Sequence, residues 1–185
     1  MRSDLVVRAQ SGDREAFDAL AAGLYDRLYS ISRRILRDGH GAEDAVQEAL
    51  IRGWRDLRSL RDPNRFEAWM HRLLVRACHD QARRGASRFE ITMATVDFGR
   101  SDPVDEYAAV AHRDELERAF LELPIDQRAV IVLTHYVGMP APQVAEVLGV
   151  PAGTVYSRLH YGLRHMRAGL LRSAALSDAV AEHGR

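Results

Sequence analysis

Ala141-Pro142-Gln143-Val144-Ala145-Glu146-Val147-Leu148-Gly149-Val150, followed by Pro151-Ala152-Gly153-Thr154-Val155-Tyr156-Ser157-Arg158-Leu159, reads as a short helix, a glycine turn and a longer helix. Val144, Val147 and Leu148 give the short helix one apolar face. Val155, Leu159, Leu163, Met166 and Leu170 recur at steps of three and four, the helical period. Gly149 supplies the positive φ that a tight turn between helices requires. Pro151 suits the first turn of the second helix, where a missing N–H removes no hydrogen bond.

The outer face of that second helix carries the functional signal. Ser157, Tyr161 and Arg164 lie opposite the apolar stripe, flanked by Thr154, Arg158 and His165. Between Thr154 and Arg172 stand four arginines and no acid. Hydroxyls, an aromatic and arginines on one helical face suit a DNA major groove, where arginine reads guanine and hydroxyls reach phosphate or bases. An amphipathic helix with a merely solvated basic face is the plainer reading, but it does not call for a glycine turn and short helix in register before it. The pattern predicts a helix-turn-helix.

Working outward, the 185 residues can form one large or two small domains, which must be helix-rich to bury enough surface. All 26 basic residues are arginine, matched by 26 acids. Their placement is uneven. Residues 1–85 hold 16 arginines against 13 acids, residues 86–115 three against seven, and the remainder seven against six. An acidic middle thus masks two mildly basic ends, and local patches outweigh the neutral total. The single cysteine, Cys78, excludes an internal disulfide and a cysteine-based zinc site. Cys78-His79-Asp80 and the His160/His165 pair lack metal-ligand spacing. No apolar run approaches the roughly 20 residues that span a bilayer. Met1-Arg2-Ser3-Asp4 opens no signal peptide, which points to a cytoplasmic protein. With no nucleophile–base pair, metal ligands or phosphate loop, neither an enzyme nor a cofactor is expected.

The chain divides into residues 1–85, a linker 86–111, a second domain 112–172 and an alanine-rich tail 173–185. In the first domain Asp13 caps a long helix bearing Phe17, Leu20, Leu24, Leu28, Ile31 and Ile35 on one face. A second runs from about Ala42 to Leu57, burying Ala45, Val46, Ala49, Leu50, Trp54 and Leu57. Its outer stripe holds Asp44, Gln47, Glu48 and an exposed Ile51. Acids early and arginines late suit the helix dipole, yet the stripe is equally the form of a docking surface for a basic partner. After the Arg58–Arg65 loop, Asn64 and Glu67 read as a capping box for a third helix. Its core face is Phe66, Trp69, Met70, Leu73, Leu74, Ala77 and Cys78. Arg72, Arg76, His79 and Arg83 form a second row that can follow a phosphate backbone or stand solvated. From Gly85 to about Asp105 the periodicity is lost. A helix resumes near His112 and stops before Pro124; Asp126 caps the next, and Gly138 ends it. The expected class is all-α, two small helical domains joined by a flexible linker, the second carrying the helix-turn-helix.

Ala42-Glu43-Asp44-Ala45-Val46-Gln47-Glu48-Ala49-Leu50-Ile51-Arg52-Gly53-Trp54 resembles the AEDLVQEVFLRAW core of bacterial sigma-70 family factors. Phe66-Glu67-Ala68-Trp69-Met70, with Asp80 and Arg83-Arg84 following, is similar to the FRAWL segment of the extracytoplasmic-function (ECF) group. Leu123-Pro124 through Arg128, and Gly153 to Leu159, resemble that group's LP..QR and GTVKSRL. Three motifs in order, over most of the chain outside linker and tail, make the resemblance specific.

The resemblance implies a subunit that binds core RNA polymerase and directs it to promoters. Asp44, Gln47, Glu48 and Ile51 would dock on a coiled coil of the largest polymerase subunit. Arg61, Asn64, Arg65, Arg72, Arg76, His79 and Arg83 would hold the melted non-template strand of the minus-ten element, with a flipped base in a pocket. Thr154, Ser157, Arg158, Tyr161 and Arg164 would read the minus-thirty-five duplex. An anti-sigma protein is the family's usual keeper. The linker would run toward the RNA exit path, its acidic Asp97–Glu115 segment in a basic channel or simply solvated. Arg76 stands where the family often has asparagine, and Met139-Pro140-Ala141-Pro142 lacks the usual Ser/Thr cap. A stand-alone helix-turn-helix regulator is the alternative; it would bind duplex DNA without polymerase.

Overall fold

The computed structural model describes residues 2–92 and 109–183, with side chains over 3–85 and 115–172. The elements are α1 (Arg2–Gln10), α2 (Arg14–Leu36), α3 (Gly39–Asp56), 3-10 turns Leu57–Ser59 and Pro63–Arg65, and α4 (Phe66–Thr92). Then come α5 (Ala109–Leu121), α6 (Ile125–Ile131), which widens into one π turn over Val132–Tyr136, α7 (Ala141–Leu148) and α8 (Ala152–His183). No strand occurs among the described residues, as the all-α reading expects. Most of the expected linker and its acidic segment, residues 93–108, lies outside the described residues.

In the first body each helix end has a local cause. Asp13 caps α2 by accepting from the Ala16 amide at 3.0 Å, satisfying an otherwise orphaned donor. Arg37 ends α2 in the left-handed conformation at φ 71°. Asp38 immediately caps α3, accepting from the His40 and Gly41 amides. Asp38-Gly39 is therefore the helix start, ahead of the expected Ala42. Ahead of α4, Asp62 caps the Pro63–Arg65 3-10 turn, its carboxylate accepting from the Asn64 amide at 2.9 Å. Asn64 lies inside the intervening turn, because Pro63 has already set the backbone there. The helix then continues to Thr92, past the expected boundary at 85.

The face that α3 buries also differs from expectation. Trp54 is 41% exposed, lying across Phe17 at 5.2 Å between centroids. The interior position belongs to Gly53, where an added Cβ would stand 3.0 Å from Met70 Sδ and 3.6 Å from Phe17 Cζ. The missing side chain lets α3 approach α4 closely.

The second body follows the same logic. α6 starts behind Pro124 without a side-chain cap, so Asp126 sits in the first turn and its carboxylate is used elsewhere. Gly138 and Gly149 turn the chain at φ 80° and 68°. α7 starts at Pro140 with no side-chain cap, in keeping with the missing Ser/Thr. Along α8 the contact line is Val155, Leu159, Gly162, Met166 and Gly169. Gly162 lies against Ile131 and Gln127, and Gly169 against Ala119, while Leu163 is 43% exposed. Glycines thus take places in the stripe that the apolar count alone gives to Leu163.

The two bodies pack together, α4 against α7 and α2 against α6. Buried Arg128 donates to the Ile35 carbonyl at 2.8 Å and the Leu123 carbonyl at 2.7 Å. It thereby ties the carbonyl end of α2 to α6. Arg37 returns the contact by donating to the Leu121 carbonyl. The Arg34 guanidinium lies 3.9 Å above the centre of the Tyr136 ring.

Candidate nucleic-acid and protein interfaces

Three surfaces carry the candidate residues. On α3, Asp44, Gln47 and Ile51 are exposed, Ile51 at 61%. Glu48 differs. Its carboxylate accepts from Arg52 at 2.6 Å, and Arg52 also donates to Asp80 of α4 at 2.9 Å. Asp80 also takes a bond from Arg83. Burial pulls Asp80 upward, but the Arg52 hydrogen bond and the charges of Arg52, Arg83 and Arg84 hold its carboxyl below the usual range. This chain of ion pairs fixes the α3 stripe on α4, leaving Asp44, Gln47 and Ile51 facing outward as an acidic, partly apolar strip.

The second surface forms where the turn before α4 meets the first half of that helix. A cleft of about 220 Å³ is lined by Leu60, Arg61, Arg65, Trp69 and Arg72 from the first body, with Glu146 and Val147 from α7. Arg61, Asn64 and Arg65 are exposed and Arg72 is half-buried; Arg76 and Arg83 are exposed further along. Three arginines, an aromatic wall and a narrow recess could hold an unstacked base and its phosphates. In this structure two of those arginines are engaged from within. Arg65 pairs with the Glu146 carboxylate, and Arg72 donates to the Glu146 carbonyl at 2.7 Å. His79 stands 3.6 Å from Asp126, and its burial outweighs the attraction of that carboxylate, lowering its pKa.

The third surface is the start of α8. Ser157, Tyr161 and Arg164 are exposed and Thr154 half-buried. Ser157 Oγ donates to the Thr154 carbonyl at 3.0 Å. Arg158 is turned inward, donating to Asp126 at 2.6 Å. Two side chains the sequence reading passed over stand on the open face, Tyr156 at 58% exposure and His160 beside it, its ring edge-on to Tyr161 at 5.5 Å. Counting Gly162 and Gly169 as part of the buried stripe turns the helical wheel enough to place both outward.

With this geometry in hand, the family models for Sigma-70 region 2 and Sigma-70 region 4 match residues 20–88 and 113–166. The ECF RNA polymerase sigma factor SigM of Mycobacterium tuberculosis is 33% identical over 157 residues, covering 84% of this chain and 78% of the relative. This chain is an ECF sigma factor of the sigma-70 family. SigL of the same organism is 34% identical over 166 residues, 85% of this chain and 92% of that one. Among solved structures, CnrH in complex with the cytosolic domain of CnrY matches with TM-score 0.63 and 29% identity, over 96% of this chain and 97% of that one. RpoE of Bartonella quintana, solved with the anti-sigma factor NepR, shares the fold at TM-score 0.67 and 20% identity.

The region 2 match covers most of α2, α3 and most of α4, hence the acidic strip and the arginines of the cleft. The region 4 match covers α6, α7 and the first half of α8, hence the helix-turn-helix. As a sigma factor the protein is an initiation factor for RNA polymerase and not an enzyme, so its sites are binding surfaces. No helix among the described residues is long and apolar enough to cross a membrane.

Proposed function

We propose that this sigma factor binds core RNA polymerase through Asp44, Gln47, Glu48 and Ile51, with Arg52 holding Glu48 in place. Arg61, Asn64, Arg65, Arg72, Arg76, His79 and Arg83 then take the melted non-template strand of the minus-ten element. Thr154, Ser157, Arg158, Tyr161 and Arg164, joined by Tyr156 and His160, face the minus-thirty-five duplex. Residues 1–85 and 112–172 are the two working halves and 86–111 the tether between them; 173–185 carry no assigned task. The factor acts in the cytoplasm on promoter DNA, without a cofactor, and an anti-sigma protein restrains it, as CnrH and RpoE are each found with a protein partner.

The observation that carries this reading is the acidic strip with an exposed Ile51 lying on the same body as the arginine-lined cleft. A docking surface for a larger machine and a grip for single-stranded DNA are thereby held in fixed relation. A stand-alone regulator has no use for the first. The test is transcription by core polymerase reconstituted with purified protein on a library of genomic fragments. We expect transcripts starting downstream of a shared two-part sequence, none without the protein, and none with core-free protein. Protection of a palindromic duplex by the protein alone, with no dependence on polymerase, would overturn the reading.

A further inference from the structure

Away from the three surfaces, the carbonyl end of α2 meets α5, the π turn after α6 and the middle of α8 around a cavity of about 670 Å³. That size falls within the roughly 300–1,000 Å³ of small-molecule sites. Its lining is divided in character. Leu116, Phe120 and Met166 lay an apolar floor from α5 and α8, and Leu116 is 47% exposed there. Arg33, Arg34 and Arg37 supply the side contributed by α2. Two backbone irregularities converge on the same place. The π turn, closed by the Val137 amide on the Val132 carbonyl at 3.0 Å, leaves Tyr136 in the lining and 48% exposed. Arg37 is the one non-glycine residue with positive φ among the described residues. Departures of both kinds gather at functional sites.

The arginines lack a counter-charge. Arg34 donates to the Ser30 carbonyl at 2.9 Å and Arg37 to the Leu121 carbonyl, and no carboxylate pairs with any of the three among the described residues. Glu117 is the sole acid among the described lining residues. Neighbouring guanidinium groups of this kind suit a carboxylate or phosphate. No serine, threonine, asparagine or glutamine lines the cavity to read a sugar or a base edge. One face of the Tyr136 ring is already covered by Arg34. The lining therefore matches an anion with a hydrocarbon chain better than a nucleotide.

We propose that this cavity binds a free anionic amphiphile, its carboxylate or phosphate head on Arg33, Arg34 and Arg37 and its unbranched alkyl chain over Leu116, Phe120 and Met166. The flexible thioether of Met166 adapts to such a chain. Burial of the chain supplies affinity, while the arginines select the sign of the head and fix its position. None of these side chains belongs to the polymerase, strand or duplex surfaces.

The test is titration calorimetry of the full chain with decanoate and decyl phosphate, both below their micelle concentrations, against decanol and decyltrimethylammonium. The expected result is saturation at one equivalent, with both anions bound at least about tenfold tighter than the neutral and cationic chains, the factor that one charge-assisted hydrogen bond supplies. R33Q/R34Q and, separately, L116Q weaken decanoate binding by at least about tenfold. R55Q/R58Q and L171Q, at exposed positions outside the cavity, bind as wild type does. Melting curves accompany each variant, and L116Q, at an exposed position, decides the matter if R33Q/R34Q does not fold. Equal affinity for decanol and decanoate, uptake without saturation, or unchanged binding by the folded cavity variants overturns the site. Adsorption to phosphatidylglycerol vesicles without binding of monomeric amphiphile, or binding of an acidic helical peptide alone, overturns it as well and assigns the arginines to a membrane or a protein surface.

Discussion

His71 lies inside α4, 1% exposed, and neither of its ring nitrogens has a hydrogen-bond partner among the described residues. Burial, aided by the charge of Arg27, brings its pKa down to about 4. The folded value lies below the unfolded one, so the neutral ring's contribution is complete above the ordinary histidine range. It is lost as pH falls toward 4, at up to about 1.4 kcal/mol per pH unit. We predict that His71→Leu flattens this part of the stability–pH curve, measured by urea unfolding between pH 7 and 4, with little change at pH 7, because no hydrogen bond is removed. Part of the residual slope belongs to His79, lowered chiefly by burial. An unaltered curve in the variant would assign the acid sensitivity elsewhere. At this scale the sequence was a partial guide. The period of α4 places residue 71 next to the core residues Met70 and Leu74, but a histidine there reads as polar and was passed over.

At the scale of the helix, the glycines decide where elements meet. Gly53 and Gly162 occupy contact lines that apolar counting gives to Trp54 and Leu163, because a hydrophobicity pattern does not register a side chain that is absent. Gly53→Val would force Met70 aside in a packed interior and place a β-branched residue in mid-helix. A loss of about 1–3 kcal/mol is expected, read as a lower melting temperature with the helical signal intact below it. A melting temperature equal to wild type would mean that α3 and α4 are not in close contact there. The two turn glycines, the Asp13 cap and the apolar periods were legible because each acts within a few residues of itself. Asp62 was missed as a cap since Pro63 inserts an extra 3-10 turn between it and α4. The wheel of α8 was read a few tens of degrees off for the same reason as Gly53, and Tyr156 and His160 were lost with it.

For the whole molecule, the division into a region 2 body and a region 4 body was visible in three ordered motifs. The way the bodies meet was not. Arg65 and Glu146 are separated by 81 positions and Arg128 and Ile35 by 93, and no local rule pairs them. Asp44, Gln47 and Ile51 of the acidic strip on α3 stay exposed beside that contact. Asp44 is exposed, and its replacement should leave folding stability within about 0.5 kcal/mol, whereas reversing its charge against a basic partner costs several kcal/mol of binding. The most direct measurement is therefore the affinity of core RNA polymerase for wild type and Asp44→Arg, by fluorescence titration, with thermal melting of both proteins alongside. The account predicts tight binding by wild type, a loss of at least about 100-fold in the variant, and superimposable melting curves. Equal affinity in two equally folded proteins would contradict it.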